Sequence, residues 1–199
     1  MTAYRIEIGS KSGPRDARGQ RLKIQARQAL QLPLQSVQTR MVYKIDAQLT
    51  RKELQAARKA FTDPLSGVSA IGRLRPPRHF DWLIEIGFLP GVTDNAGRVA
   101  RLALSDALAR TLEPAAGVYS ATQYFIRAAA LTREQVLRLS NELLANPLLN
   151  SCAIYTAAEW IAQPPDTSVP VIRAPAVPPV HIYNLQQSDA ALMQLSQDN

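Results

Sequence analysis

The chain has 199 residues, of which 46% are hydrophobic and 20% are charged, and its net charge at pH 7 is +7. This composition is typical of a globular protein, and no apolar run approaches the ~20 residues that a membrane-spanning helix needs. A single cysteine and two histidines exclude an internal disulfide and a cysteine- or histidine-rich metal centre. The N-terminus lacks an apolar signal core, so we expect a cytoplasmic protein without a membrane partner.

The pattern of β-formers, helical faces and turns predicts the same series of elements twice, each time strand, helix, extended segment, helix and short strand. The predicted strands and extended segments are Tyr4–Ile8, Val37–Asp46, Val68–Ile71, Trp82–Gly87, Val118–Ala128 and Cys152–Tyr155. Each long middle segment can form either two short strands or one long bent strand. Pro76 and Pro77 mark a stiff joint between the two series.

The two series also repeat in sequence. Ile-Glu-Ile-Gly occurs at residues 6–9 and again at 84–87, an offset of 78 residues. The same offset aligns three pairs of turn residues, namely Gly13 with Gly91, Asp16 with Asp94 and Gly19 with Gly97. Ordered matches of this kind indicate an internal duplication.

The second helix of each series has a sequence-level start signal. Thr50 is followed by Glu53 three residues later, and Thr132 is followed by Gln135, which is the spacing of a capping box. Each of these helices should end before the proline that follows it, because the residue before a proline disfavours the helical conformation.

These observations predict an α+β protein built from two tandem ferredoxin-like β-α-β(β)-α-β repeats packed about a pseudo-two-fold axis. The repeats occupy residues 1–75 and 82–160, with a joint at 76–81. Residues 161–199 are expected to be a proline-rich linker and the start of a following domain.

The turn of the second repeat, Leu89-Pro90-Gly91-Val92-Thr93-Asp94-Asn95-Ala96-Gly97, resembles the signature of the small PurS-type subunit of phosphoribosylformylglycinamidine synthase. The stretch 144–147 is similar to the same family. The first repeat keeps Gly13, Asp16 and Gly19 but lacks the Pro-Gly-Val step. The stretch 188–196 is similar to the opening of the large synthetase subunit of that enzyme.

The resemblance implies a role in purine biosynthesis. The enzyme is an ATP-dependent carbon–nitrogen ligase that takes nitrogen from glutamine, and its PurS-type part carries no catalytic group. That part bridges a PurL-like synthetase and a PurQ-like glutaminase and supports ammonia transfer between them. ATP and Mg²⁺ belong to the synthetase, so the segment itself should hold no cofactor. The candidate motif-turn or partner-interface residues are Gly13, Asp16, Gly19, Gly91, Asp94 and Gly97.

The titratable residues do not form a recognisable catalytic set. Cys152 lacks a nucleophile elbow and is expected to be a buried strand residue. Neither His79 nor His181 has an acidic neighbour at the spacing of a catalytic triad. Glu7 and Glu85 alternate with isoleucines and are expected on a polar sheet face. The turn glycines could cradle a phosphate, but the two turn aspartates would repel one, and helix capping is their expected role.

Two other functions fit parts of the sequence. A tandem ACT-type regulatory pair would also join ferredoxin-like units and would bind a small molecule. An RNA-binding module would suit the positive charge, but the aromatic signature of such modules on central strands is absent. We therefore do not expect a nucleic-acid partner.

Overall fold

The computed structural model describes residues 3–11, 16–128, 130–170, 186–189 and 192–194. Within these residues, six strands form one antiparallel sheet in the order β3-β1-β2-β5-β4-β6. The strands are β1 (Ala3–Ser10), β2 (Ser36–Asp46), β3 (Gly67–Ile71), β4 (Trp82–Phe88), β5 (Gly117–Arg127) and β6 (Asn150–Thr156). The predicted α+β class is confirmed, and every predicted strand is present with ends within two residues of the prediction.

Five helices accompany the sheet in the described chain: α1 (Ala17–Leu30), α2 (Arg51–Phe61), α3 (Asn95–Ala107), α4 (Arg133–Leu139) and α5 (Ala157–Ala162). A π-helical turn, Ser140–Leu144, continues α4. Both predicted capping boxes are confirmed at the starts of α2 and α4. A third capping box, Thr156 with Glu159, begins the short helix α5, which lay partly in the predicted linker.

The sequence left open whether each long middle segment forms two short strands or one long strand. Strands β2 and β5 are each one continuous strand of eleven residues. They pair antiparallel along their whole length, from Ser36 opposite Arg127 to Asp46 opposite Gly117. The two predicted repeats therefore share one sheet, joined edge to edge.

All four long helices lie on one face of this sheet, over two hydrophobic clusters. The first cluster combines α1, through Leu22 and Ala26, with α4, through Val136 and Leu139. The second combines α2 and α3 over β1, β2 and the start of β5. Each cluster draws one helix from each predicted repeat, so the boundary predicted at residues 76–81 does not separate two independent cores.

The opposite face of the sheet corrects an expectation. Glu7 and Glu85 do point away from the helices, but they are buried, with 0% and 8% of their surface exposed. Helix α5 covers this face through Trp160, which packs with Leu83 and Phe125. The segment after α5 also reaches it, because the backbone carbonyl of Asp166 accepts a hydrogen bond from Arg5 at 2.9 Å.

The predicted linker is partly within the described chain. Helix α5 extends to Ala162, and residues 163–170 follow it. Residues 171–185 lie outside the described residues. Farther on, Leu192 N donates to Ser188 O at 3.0 Å, in a segment where residue 189 and residues 192–194 are helical.

No helix in the described part of the chain has the length and apolarity to cross a bilayer.

Candidate functional site

The motif turn of the second repeat forms a compact cluster, here called the second clamp (Asp94, Gly97 and Ser120). Asp94 precedes α3 and accepts from the Gly97 N–H at 2.7 Å. It also accepts from the backbone N–H and the hydroxyl of Ser120, at 2.5 and 2.8 Å. One carboxylate therefore caps α3 and fixes it to strand β5.

The first repeat contains the matching first clamp (Asp16, Gly19 and Thr39). Asp16 accepts from the Gly19 N–H at 2.8 Å and from the Thr39 hydroxyl at 3.0 Å. It also accepts from the backbone N–H of Thr39. The degenerate first turn therefore keeps the same clamp geometry even though it lacks the Pro-Gly-Val step.

The close contact between helix and strand at each clamp explains why the first turn of α1 and of α3 contains a glycine. A Cβ on Gly97 would lie 2.3 Å from the Val118 carbonyl oxygen, and a Cβ on Gly19 would lie 2.5 Å from that of Val37. Both glycines are buried, so a partner cannot contact them directly. Gly91 is exposed and has a φ of 85°, while Gly13 lies outside the described residues.

The capping role predicted for Asp16 and Asp94 is therefore confirmed. The structure brings the predicted residues together as two separate clusters, one at the start of α1 and one at the start of α3. Each carboxylate is occupied by hydrogen bonds within the chain. Among the candidate interface residues that the structure describes, Gly91 is the exposed one. A partner-interface role for the turn remains a prediction.

The prediction for Cys152 is half wrong. It does lie in a strand, β6, but it is exposed rather than buried. Strand β6 is an edge of the sheet, and Cys152 lies near its start, opposite Ile86 of β4, with its sulfur 2.9 Å from the Ser140 hydroxyl oxygen. Partial desolvation raises the pKa of its thiol, which disfavours the reactive thiolate at neutral pH.

The other candidate catalytic groups are also dispersed. His79 is exposed in the joint, and His181 lies outside the described residues. Among the residues that the structure describes, no group of three or more histidine, cysteine or carboxylate side chains is placed to hold a metal ion.

The buried charges on the face opposite the helices form one network, here called the ionic centre (Arg5, Glu7, Arg40, Lys44, Glu85 and Gln123). Arg5 donates to both oxygens of Glu85, at 3.1 and 2.5 Å, and to Glu7 at 2.9 Å. The Gln123 amide donates to both glutamates, at 3.2 and 3.0 Å. The two glutamates of the repeated Ile-Glu-Ile-Gly motif thus meet across the joined sheet.

The surroundings of the ionic centre shift the pKa values of its two arginines in opposite directions. Burial acts to lower the pKa of Arg5, but hydrogen bonds and charge–charge interactions with Glu85 and Glu7 outweigh it and the pKa is raised. Burial lowers the pKa of Arg40, with the charge of Glu7 opposing the change. The carboxylates and guanidinium groups satisfy one another through ion pairs and hydrogen bonds within the sheet, an arrangement suited to fixing neighbouring strands.

Sequence reasoning identified Glu7 and Glu85 but missed their partners. A signal was present, because Arg5 and Glu7 alternate with apolar residues in β1 and so share one face. Asp166, which pairs with Lys44 at 2.5 Å, lies in a stretch read as linker and gave no comparable signal.

The sequence was compared with protein-family profiles and with curated proteins. Neither a protein-family profile nor a curated protein matches the chain.

Proposed function

We propose that this chain is a non-catalytic assembly module of a PurS-type phosphoribosylformylglycinamidine synthase, joining synthetase to glutaminase and supporting ammonia transfer. The observation that carries the proposal is the edge-to-edge pairing of two similar halves, each with the same aspartate–glycine clamp at the start of its first helix. The motif turn Leu89–Gly97 supplies the family resemblance.

We further propose that the halves are tandem ferredoxin-like repeats related by a pseudo-two-fold axis. Their elements follow the same order, β1-α1-β2-α2-β3 and β4-α3-β5-α4-β6. The strand order reads alike from either edge of the sheet, with β2 and β5 at the centre. The crossed helix packing, α1 with α4 and α2 with α3, supports the same relationship.

The state of the polar groups supports an assembly role over an enzymatic one. The carboxylates of the ionic centre bind arginine and glutamine side chains of the same sheet. The clamp carboxylates bind backbone N–H groups. In this proposal the chemistry, including ATP and Mg²⁺, belongs to the PurL-like synthetase part, and the complex with the PurQ-like glutaminase is cytoplasmic.

The test compares two nitrogen sources. Codons 1–160 are deleted in frame from the gene in its source organism, and growth is scored without purines and with hypoxanthine. The purified product is assayed for ligase activity with glutamine and with ammonium salt. We expect no growth without purines, rescue by hypoxanthine, loss of glutamine-dependent activity and retention of ammonia-dependent activity, because the glutaminase is no longer joined to the synthetase.

The control strain carries the undeleted gene at the same locus. Normal purine-free growth of the deletion strain, with no second copy of the gene present, would contradict the proposal. Equal loss of both activities would also contradict it, since a bridging module is dispensable when ammonia is supplied directly.

A further inference from the structure

The joint between the two halves forms the floor of an open groove, here called the joint groove, with a volume of about 830 Å³. Its lining comes from the joint itself, from the ends of β5 and α5, and from the residue before β2. The lining residues are Gln35, Arg75, Pro76, Pro77, Arg78, His79, Phe80, Asp81, Arg127, Ala157 and Ile161.

The groove concentrates unpaired positive charge. Arg75, Arg78 and Arg127 are exposed, and none of them makes an ion pair or a side-chain hydrogen bond within the described chain. The one acidic lining residue, Asp81, is occupied, because its carboxylate accepts from the Ala128 N–H at 2.6 Å. Three exposed arginines without an ion-pair partner in the described chain thus line one cleft.

The backbone beneath these arginines is fixed at both ends. Arg40 donates to the carbonyl oxygens of Leu74 and Arg75, at 2.9 and 2.6 Å. At the other end, Asp81 N donates to Ile126 O and Ala157 N donates to Asp81 O, each at 2.9 Å. Two prolines lie between these anchors. Arg75 and Arg78 are therefore carried on a preorganised loop, and Arg127 stands at the end of β5, which lowers the entropic cost of binding.

The lining of the groove also includes apolar side chains. Ile161 is 65% exposed, and Phe80 is half-buried beside Pro76 and Pro77. A lining that combines exposed apolar side chains with arginines is typical of a protein–protein contact. A small ligand is instead mostly enclosed by its pocket, and this groove is open to solvent with its arginines exposed.

Charge and shape together select one occupant. We propose that the joint groove docks an acidic segment of the glutaminase, with carboxylates on the arginines and an apolar side chain against Phe80 and Ile161. The inference rests on the proposed function and adds the surface through which the partner binds. Single-stranded RNA fits less well, because it needs open aromatic faces for base stacking. Phe80 packs edge-on against Phe125, with ring centroids 5.1 Å apart.

The experiment measures binding of the full-length synthetase chain to the glutaminase by calorimetry at several salt concentrations. The test variant carries Arg78→Glu and Arg127→Glu. The control carries Arg51→Glu and Lys52→Glu, which make the same change of charge at exposed positions on α2, away from both motif turns. We expect the test variant to weaken binding by at least about tenfold and to reduce its salt dependence, and the control to bind nearly as the wild type does.

Three results would overturn the inference. If the test variant and the wild type bind equally well, the joint groove is not the binding surface for the glutaminase, but the proposed function still stands. Equal weakening by both variants assigns the effect to net charge alone. If the wild type does not bind the glutaminase at all, both the assignment of the groove and the proposed function are contradicted. Circular dichroism spectra of all variants verify folding.

A second probe separates nucleic acid from protein. A fluorescein-labelled oligouridine is titrated into the same three proteins. We expect equal, weak, salt-sensitive binding by the wild type and both charge variants. Tight binding that is lost in the groove variant alone, with glutaminase binding unchanged, would assign the groove to RNA.

Discussion

The clamp aspartates show how one side chain can set the geometry of two elements. In the second clamp one carboxylate oxygen accepts from the Gly97 N–H and the Ser120 hydroxyl, and the other accepts from the Ser120 N–H. The helix start and the middle strand are thereby held in close contact. A glycine is required at the contact because the helix backbone passes against the Val118 carbonyl.

Gly91 depends on backbone freedom rather than on space. Its φ of 85° is in the left-handed region, which a β-branched residue adopts only under strain. We expect Gly91→Val to destabilise the fold by about 1–3 kcal/mol. For a chain of this size, each kcal/mol lowers the melting temperature by about 2–4 °C. Differential scanning calorimetry checks the loss.

The neighbouring exposed residue Thr93 provides the control, because φ there is not positive and Thr93→Val introduces the same side chain. The Thr93→Val variant should melt close to the wild type. A Gly91→Val variant that also melts like the wild type would show that the turn tolerates a left-handed valine.

At the scale of elements, the sequence predicts best what local chemistry decides. Strand periodicity and two capping boxes placed the strands and the helix starts correctly. Helix α5 was missed although Thr156-Ala-Ala-Glu159 carries the same capping pattern, because the helix is short and runs into a proline-rich stretch. The π-helical turn after α4 has no local signal of its own.

Burial was harder to predict because it depends on strand order and on distant segments. The exposure of Cys152 follows from β6 being an edge strand, which periodicity does not reveal. The burial of Glu85 requires Arg5, which lies eighty positions earlier in the chain, and the segment around Asp166. The joint groove likewise unites residues that are scattered from Gln35 to Ile161.

The capping box of α2 makes part of the stability dependent on pH. Hydrogen bonds from the backbone N–H and the hydroxyl of Thr50, together with Arg110, lower the pKa of Glu53 from 4.5 to about 2. Because this pKa is lower in the folded state, the contribution is present above pH 4.5 and is lost as the pH falls toward 2. We expect Glu53→Gln to melt below the wild type at pH 6, with the difference narrowing as the medium is acidified.

Melting followed by circular dichroism across this pH range measures the effect. Glu134→Gln in α4 is the matched control, since Glu134 also lies in the first turn of its helix and forms no ion pair with any described residue. Its melting temperature should follow that of the wild type. A Glu53→Gln difference that is constant with pH would assign the stabilisation to something other than ionisation.

At the scale of the whole molecule, the two halves depend on each other. The apolar face of α1 packs on β2 of its own half and belongs to one hydrophobic cluster with residues of β4, β5 and α4 from the other half. The apolar face of α3 packs on β5 of its own half and on α2 of the other half, in one cluster with residues of β1 and β2. Separating the halves would expose both helix faces as well as the paired edges of β2 and β5.

We therefore expect residues 1–80 and 81–170 to lack a cooperative thermal transition when each is a monomer alone. Mixed in equal amounts, they should assemble into a complex whose far-UV circular dichroism matches that of the intact chain. Its melting temperature should rise with concentration, because association then supplies part of the stability. Analytical ultracentrifugation with circular dichroism melting tests this. A monomeric half that melts cooperatively would mean that each repeat has a sufficient core of its own, despite the exchange of helices across the joined sheet.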